Sequence, residues 1–161
     1  MPQADRVRAA LCNLATLYPP LAARVRVESD GSAWLTTEEV DGLTLEVRPR
    51  AVEDQWAQLF LEQERVPFAI ERGPLARCFL LQGEERSDLV VIIPHVIADG
   101  YGMTQVMGEA LALLADPDRR VTRPAPAPPI TWQSVAHEPD DNRFLRELAK
   151  IANRAWPNGH D

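Results

Sequence analysis

Apolar residues recur at helical spacing in four parts of the chain, each of which predicts an amphipathic helix, and three of the four lie before residue 116. The first covers 5–18 and ends there because two prolines follow. The second has an apolar face made of Val52, Trp56, Leu59 and Phe60. The third begins near Gly102, and its apolar stripe consists of Met103, Val106, Met107, Ala110, Leu111 and Leu114.

The segments between these helices have the patterns of β-strands. Residues 25–35 predict a hairpin, because valines alternate with arginines and an Asp-Gly turn separates two apolar runs. A strand with one buried face is predicted at 43–47, and another strand at 75–81. The run 89–93 is apolar throughout, so we expect a central strand buried on both faces. This order of elements predicts an α/β fold, a two-layer sandwich with a mostly antiparallel or mixed sheet flanked by helices.

The chain divides into three parts by composition. Residues 1–115 contain the predicted helices and strands, and a chain of 161 residues is long enough for one core of this kind. Residues 116–141 form a proline-rich linker. Residues 142–161 predict a C-terminal amphipathic helix and a tail, and this helix has no core of its own.

Charge and hydropathy limit the classes of function. The net charge is −7 and no basic cluster with interleaved aromatics is present, so we expect no nucleic-acid partner. No apolar run reaches membrane-spanning length and the first residues lack a signal-peptide pattern, so we expect a cytoplasmic protein without a membrane span. Cys12 and Cys78 lie among apolar residues, and we expect two buried thiols rather than a disulfide.

A histidine and an aspartate lie on the short segment between the last predicted strand and the third helix. Pro94 removes a backbone donor and so ends the strand, His95 follows it, and Asp99-Gly100 is a turn signal. Such a loop is held at both ends, which suits a catalytic group. His95 and Asp99 are two possible metal ligands, but no third is evident nearby, so we expect no metal site.

These residues form the motif His95-Val-Ile-Ala-Asp99-Gly100, preceded by Phe68 and by the segment Gly-Pro-Leu-Ala-Arg that ends at Arg77. This combination resembles the chloramphenicol-acetyltransferase-like superfamily. Its members include condensation domains of nonribosomal peptide synthetases, polyketide-associated acyltransferases and wax-ester synthases. The likeness runs from about residue 7 to residue 114 and corresponds to the N-terminal lobe of these proteins.

The resemblance implies an acyltransferase or condensation-type activity in natural product biosynthesis. His95 matches the catalytic histidine and would act as the general base. Asp99 matches an aspartate that braces the loop through an arginine, with Arg24 and Arg77 as the two candidates. Gly100 would let the backbone turn where a side chain would clash. The substrate channel would be flanked by Tyr101 and Gly102.

The resemblance also implies the substrates and partners. The acyl donor would be a thioester of coenzyme A or of the phosphopantetheine on an acyl or peptidyl carrier protein, and no cofactor would be tightly bound. Relatives often carry two histidines in tandem, whereas Pro94 replaces the first one here. Relatives also close their channel with a second lobe, so we expect a second lobe, another protein chain or a homo-oligomer to complete the site. The alternative function is a non-catalytic lobe that binds a carrier protein or a partner.

Overall fold

Three α-helices, one 3₁₀ helix and five β-strands are present in residues 3–116 and 118–125, which are the residues that the structure, a computed structural model, describes. The helices are α1 (Gln3–Leu17), α2 (Gln55–Glu64) and α3 (Gly100–Ala115), with the 3₁₀ helix at Pro19–Ala22. The strands are β1 (Arg24–Val27), β2 (Ala33–Thr36), β3 (Leu45–Pro49), β4 (Arg77–Gln82) and β5 (Ser87–Ile92). The order of elements is the predicted one. The predicted helix at 142–161 lies outside the described residues, as does most of the predicted linker at 116–141.

The strands β3, β4 and β5 form a mixed sheet with β4 in the middle. β3 runs parallel to β4, and β5 runs antiparallel to it. Parallel neighbours cannot be joined by a tight turn, and α2 accordingly provides the crossover between β3 and β4. The predicted α/β fold with a mixed sheet flanked by helices is confirmed.

The core has two parts because successive side chains of β4 point to opposite faces of the sheet. Cys78 and Leu80 belong to the larger cluster, where α1 and α3 pack together on one face. Phe79 and Leu81 belong to a smaller cluster on the other face, together with Leu59 of α2. The sheet therefore has helices on both faces, which makes three layers where the sequence predicts two. The four consecutive residues from Cys78 to Leu81 are all buried.

The prediction that the strand at 89–93 is central and buried on both faces is wrong. β5 lies at the edge of the three-stranded sheet that the described residues form, and only Val91 of β5 is buried. Its side chains do contact both clusters, Leu89 on the α1–α3 side and Val90 on the α2 side. They stay half-buried because β5 has a neighbouring strand on one side only.

Two predicted helix faces are less buried than expected. In α2, Leu59 is buried, but Trp56 and Phe60 are 53% and 48% exposed. In α3, Val106, Ala110 and Leu113 are buried, whereas Leu111 is exposed. A single helix can bury only the part of its surface that meets the sheet, so the rest of a wide apolar stripe stays in solvent.

The strands β1 and β2 form a separate two-stranded antiparallel sheet, which confirms the predicted hairpin. The amide of Val25 donates a hydrogen bond of 2.7 Å to the carbonyl of Ile70, which ties the hairpin to the segment before β4. None of the helices in the described residues is long and apolar enough to cross a membrane.

The two cysteines are free thiols, but their environments differ. Cys78 is buried in the core as predicted, and burial raises the pKa of its thiol to about 12 because the thiolate would lose its hydration. The prediction that Cys12 is also buried is wrong: it lies on the exposed side of α1.

This difference predicts that one thiol is modified selectively. The thiolate is the reactive form, so a thiol reagent at pH 8 should modify Cys12 quickly and Cys78 at least about 100-fold more slowly. Mass spectrometry of peptides after timed alkylation measures both rates. In Cys12→Ser the fast phase should disappear, and in denaturant both thiols should react. Equal rates in the folded protein would contradict the packing around Cys78.

Candidate active site

His95 lies on an exposed turn between β5 and α3. The amide of Ile97 donates a hydrogen bond of 3.1 Å to the carbonyl of Pro94, so His95 and Val96 form the tip of this turn. On either side of the tip, Ile93 and Ile97 are half-buried and pack against the α1–α3 cluster. The imidazole is thus exposed on a segment whose two flanks are anchored in the core.

Asp99 is the N-cap residue of α3. Its backbone is extended, with φ −88° and ψ −175°, and its carboxylate Oδ1 accepts a hydrogen bond of 2.8 Å from the amide of Gly102. Its carbonyl accepts another, of 2.9 Å, from the amide of Met103. The side-chain bond satisfies an amide of the first helical turn, which has no carbonyl partner within the helix, and the carbonyl bond is the first regular hydrogen bond of α3. Asp99 therefore joins the histidine loop to α3.

The two arginines proposed as partners of Asp99 have other partners in the structure. Arg24 forms an ion pair with Glu39, and its Nε donates a hydrogen bond of 2.9 Å to the carbonyl of Glu38. Among residues 3–116 and 118–125, Asp99 forms no ion pair within 4.0 Å. The prediction that Arg24 or Arg77 braces Asp99 is therefore wrong for the part of the chain described.

Arg77 instead holds the segment that follows α2. Its Nη1 donates a hydrogen bond of 2.9 Å to the carbonyl of Val66 and its Nη2 one of 2.6 Å to the carbonyl of Pro67. Nη1 also lies 3.3 Å from both the carbonyl oxygen and Oε1 of Gln63, near the C-terminus of α2. The guanidinium lies over the ring of Phe68, 4.1 Å from its centroid. A cation here is favourable because carbonyl groups at a helix C-terminus carry partial negative charge.

Gly100 does not have the steric role that the resemblance implied. Its φ is outside the left-handed region, and a Cβ at this position would meet no heavy atom within 4 Å. In the upstream segment Gly73 does have such a role. Its φ is +64°, and a Cβ there would lie 2.6 Å from the carbonyl oxygen of Ala23. The glycine that the backbone requires thus lies in the upstream segment and not in the histidine motif.

Around His95 the surface is open. Tyr101, in the first turn of α3, is 75% exposed, and Val96 is 76% exposed; Gly102 is half-buried. Sequence reasoning did not single out Val96, which is exposed directly beside His95. The described residues form four cavities, and His95 does not line any of these four.

The chain is similar to proteins of peptide and polyketide biosynthesis. No family model matches it. A linear gramicidin synthase protein from Brevibacillus parabrevis is 28% identical over 120 residues, which is 71% of this chain and 2% of that protein. Among solved structures, the SgcC5 protein from Streptomyces globisporus has a TM-score of 0.60 at 23% identity over 91% of this chain. The starter condensation domain of rhizomide synthetase has a TM-score of 0.57 at 16% identity over 95% of it. The fold of the chain is condensation-domain-like.

The fold of this chain corresponds to only part of its relatives. It spans 33% of the length of the Streptomyces protein, 35% of the rhizomide synthetase chain and 2% of the gramicidin synthase protein. A condensation-domain-like fold agrees with the superfamily that the histidine motif predicts. The roles of His95, Asp99, Tyr101 and Gly102 in any reaction stay predictions.

The position of Arg77 in the condensation-domain-like fold predicts a structural role. Arg77→Ala would leave the carbonyls of Val66 and Pro67 without their donor, so we expect it to lower the free energy of unfolding by about 2–3 kcal/mol. Chemical denaturation measures this loss. The control is Arg86→Ala, which removes an exposed ion pair with Glu53 and should cost less than about 0.5 kcal/mol. Equal losses of unfolding free energy in the two variants would contradict the structural role of Arg77.

The two glycines predict opposite effects of the same substitution. Gly73→Ala should lower the free energy of unfolding by about 2 kcal/mol or more, because the residue has a positive φ and its Cβ would collide with a backbone oxygen. Gly100→Ala should raise it by about 0.5 kcal/mol, because the site is open and alanine favours the helix. Urea unfolding of both variants checks the signs, and a strong destabilisation by Gly100→Ala would contradict the geometry of α3.

Proposed function

We propose that this chain is a lobe of an acyltransferase or condensation-type enzyme and that His95 is its general base. The observation that carries the proposal is the exposed imidazole of His95 on a loop whose flanks are anchored in the core of a condensation-domain-like fold. A general base must reach the substrate and must also be held in place. The donor in this proposal is an acyl thioester on a carrier-protein phosphopantetheine or on coenzyme A, and the acceptor is an amine or a hydroxyl.

The reaction needs one proton transfer at His95. A ring nitrogen of the neutral imidazole accepts the proton of the acceptor while the acceptor nitrogen or oxygen attacks the carbonyl carbon of the thioester. The tetrahedral intermediate then expels the thiolate as the carbon–sulfur bond breaks, and the imidazolium returns the proton to the sulfur. Imidazole suits this cycle because it gains and loses a proton near neutral pH.

The proposed site requires a second surface. His95, Val96 and Tyr101 are all exposed, so no wall excludes water on the outer side of this loop in the described residues. Water would compete with the acceptor for the thioester. A second lobe, another protein chain or a second copy of this chain would close the site, and the chain spans about a third of the solved structures that share its fold.

A second candidate function is a non-catalytic lobe that binds a carrier protein or another partner. One observation favours it: the described residues provide no side-chain hydrogen bond to the imidazole of His95. Catalytic histidines are commonly oriented by such a bond. In this case the exposed tip with Val96 would serve binding alone.

The role of His95 predicts a loss of turnover without a loss of fold. The wild-type chain, together with the lobe or protein chain that closes its site, is incubated with acyl-coenzyme A and with a carrier domain that bears an acyl-phosphopantetheine, and amine and alcohol acceptors are present. Mass spectrometry of the products measures transfer. We expect His95→Ala to lower turnover by at least about 100-fold, because a general base contributes that much or more.

Thermal unfolding of His95→Ala should match that of the wild type, because the side chain is exposed. Unchanged turnover in His95→Ala would remove the catalytic role. A wild-type chain that binds the carrier domain but forms no product would overturn catalysis and support the binding lobe. A chain that neither binds nor reacts would contradict both functions.

A further inference from the structure

We infer that two copies of this chain pair through the outer edge of β5, so that the sheet continues from one copy into the other. This surface has no part in the proposed function, and the pairing stands whether or not His95 is catalytic. Three features carry the inference: the backbone groups along the edge, the apolar side chains on both of its faces, and the match of the β5 sequence with itself.

The outer edge of β5 presents backbone groups that can pair with another strand. The amide of Gly83 donates a hydrogen bond of 3.1 Å to the carbonyl of Arg86 and closes the turn between β4 and β5. Bonded and non-bonded pairs alternate along an antiparallel ladder, so every second residue from Asp88 to Ile92 directs its amide and carbonyl toward β4. Those of Leu89 and Val91 point outward, and the part of the chain that the structure describes gives them no backbone partner. Such groups form a template for a further strand.

Exposed apolar side chains flank this edge on the α2 face of the sheet. One side of α2 is fixed to β3, because Glu62 forms an ion pair with Arg48 and Gln55 donates a hydrogen bond to the carbonyl at the end of β3. At 3.6 residues per turn, Trp56 and Phe60 lie on the side of the helix turned away from β3. α2 also contacts β5, so these two side chains, 53% and 48% exposed, lie on the side of the open edge.

The other face of the sheet has an exposed apolar side chain beside β5 as well. Leu111 of α3 lines a cavity of about 710 Å³ together with Leu89 of β5. Leu111 is 61% exposed, although the neighbouring Ala110 is buried in the core. The edge of β5 is therefore the centre of an apolar surface to which both helix layers contribute. Surfaces of this kind mark sites of protein association.

A second copy of β5 fits this edge because the strand matches itself in antiparallel orientation. When Val91 lies opposite Val91 of the second copy, the outward amides and carbonyls of the two strands face each other. On the α1–α3 face, Leu89 then lies opposite Ile93. On the α2 face, Val90 lies opposite Ile92. Each pair that forms across the junction is thus apolar, and pairs of this type stabilise sheets.

The charge of β5 does not oppose this pairing. Asp88 is the one charged residue of the strand, and in this register it lies opposite Pro94 of the second copy. Its carboxylate accepts a hydrogen bond of 2.7 Å from Nε of Arg50 within the same chain. Proteins commonly protect edge strands with charged side chains, but the run 89–93 contains none. We therefore assign the edge to a second copy of this chain.

The same register brings the second copy close to the His95 loop. Position 95 lies opposite position 87 of the second copy, so the turn at 83–86 of that copy borders the loop. Each copy would supply part of the cover that the proposed site requires. This consequence rests on the proposed function, whereas the pairing of the two strands does not.

The first test compares dilute and concentrated solutions of the full chain. Sedimentation velocity should show twice the mass of one chain at about 200 μM and a fall toward the mass of one chain near about 1 μM. Amide exchange by NMR should be at least about tenfold slower for Leu89 and Val91 in the concentrated solution. The amide of Val90 already faces β4, so its exchange should change far less.

The second test places a charge beside the edge without changing β5. Leu111→Glu and Trp56→Glu should each raise the dissociation constant at least about tenfold, because the carboxylate would lose its hydration in the junction. Both side chains are exposed, so thermal unfolding should match the wild type. The matched controls are Leu35→Glu and Trp34→Glu, which make the same changes at exposed residues of the β1–β2 hairpin. The controls should leave the dissociation constant within about twofold of wild type.

Three results would overturn the inference. The first is a wild-type chain that remains monomeric at about 1 mM. The second is a dimer that Leu111→Glu and Trp56→Glu leave intact, because another surface would then hold it. The third is equal protection of the Leu89 and Val91 amides in the dilute monomer, because the chain would then cover its own edge. None of these readouts uses turnover, so the activity of His95→Ala tests the proposed function separately.

Discussion

The burial of β4 on both faces is the constraint on which the position of the His95 loop depends. Leu80 and Leu81 are adjacent in sequence, and they point into different core clusters. A shift of the strand by one residue would move each of them to the wrong face, so the register of β4 is strongly fixed. β5 pairs with β4 along its whole length and ends at Ile92. The start of the loop is therefore set by a core that lies several residues away from it.

The sequence predicts the type and order of the described elements well, because these depend on local signals. Apolar residues at helical spacing, prolines after a helix and Asp-Gly turns act over a few residues. The neighbours of a strand are not a local property. The run 89–93 is apolar enough for a central strand. The apolar content of a strand indicates how much of its surface can be buried, but it does not indicate how many neighbouring strands it has. β5 uses its apolar residues to contact helices on both faces while one of its edges remains open in the described residues.

The same distinction separates the parts of the candidate site that could be predicted from those that could not. The place of His95 between a strand and a helix follows from the local pattern, and the structure agrees. The partners of the arginines depend on how distant segments meet. Arg24 forms an ion pair with Glu39, which follows the hairpin, and Arg77 donates hydrogen bonds to backbone carbonyls just after α2. The cap at Asp99 did carry a local signal, since aspartate directly before an apolar-periodic helix is a typical N-cap.

The exposure of His95 determines what the proposed function needs around this residue. Water competes with amine and hydroxyl acceptors for the carbonyl carbon of a thioester, and an imidazole in bulk solvent also activates water. The exposed Val96 and Tyr101 next to His95 supply apolar surface on which a covering chain can exclude water. An enzyme lobe and a non-catalytic binding lobe would both use this surface. In the enzyme, the covering chain would leave a channel to the imidazole, and in the binding lobe it would not. The position of His95 in this fold is thus necessary for the proposed reaction, and the covering surface decides whether the reaction occurs.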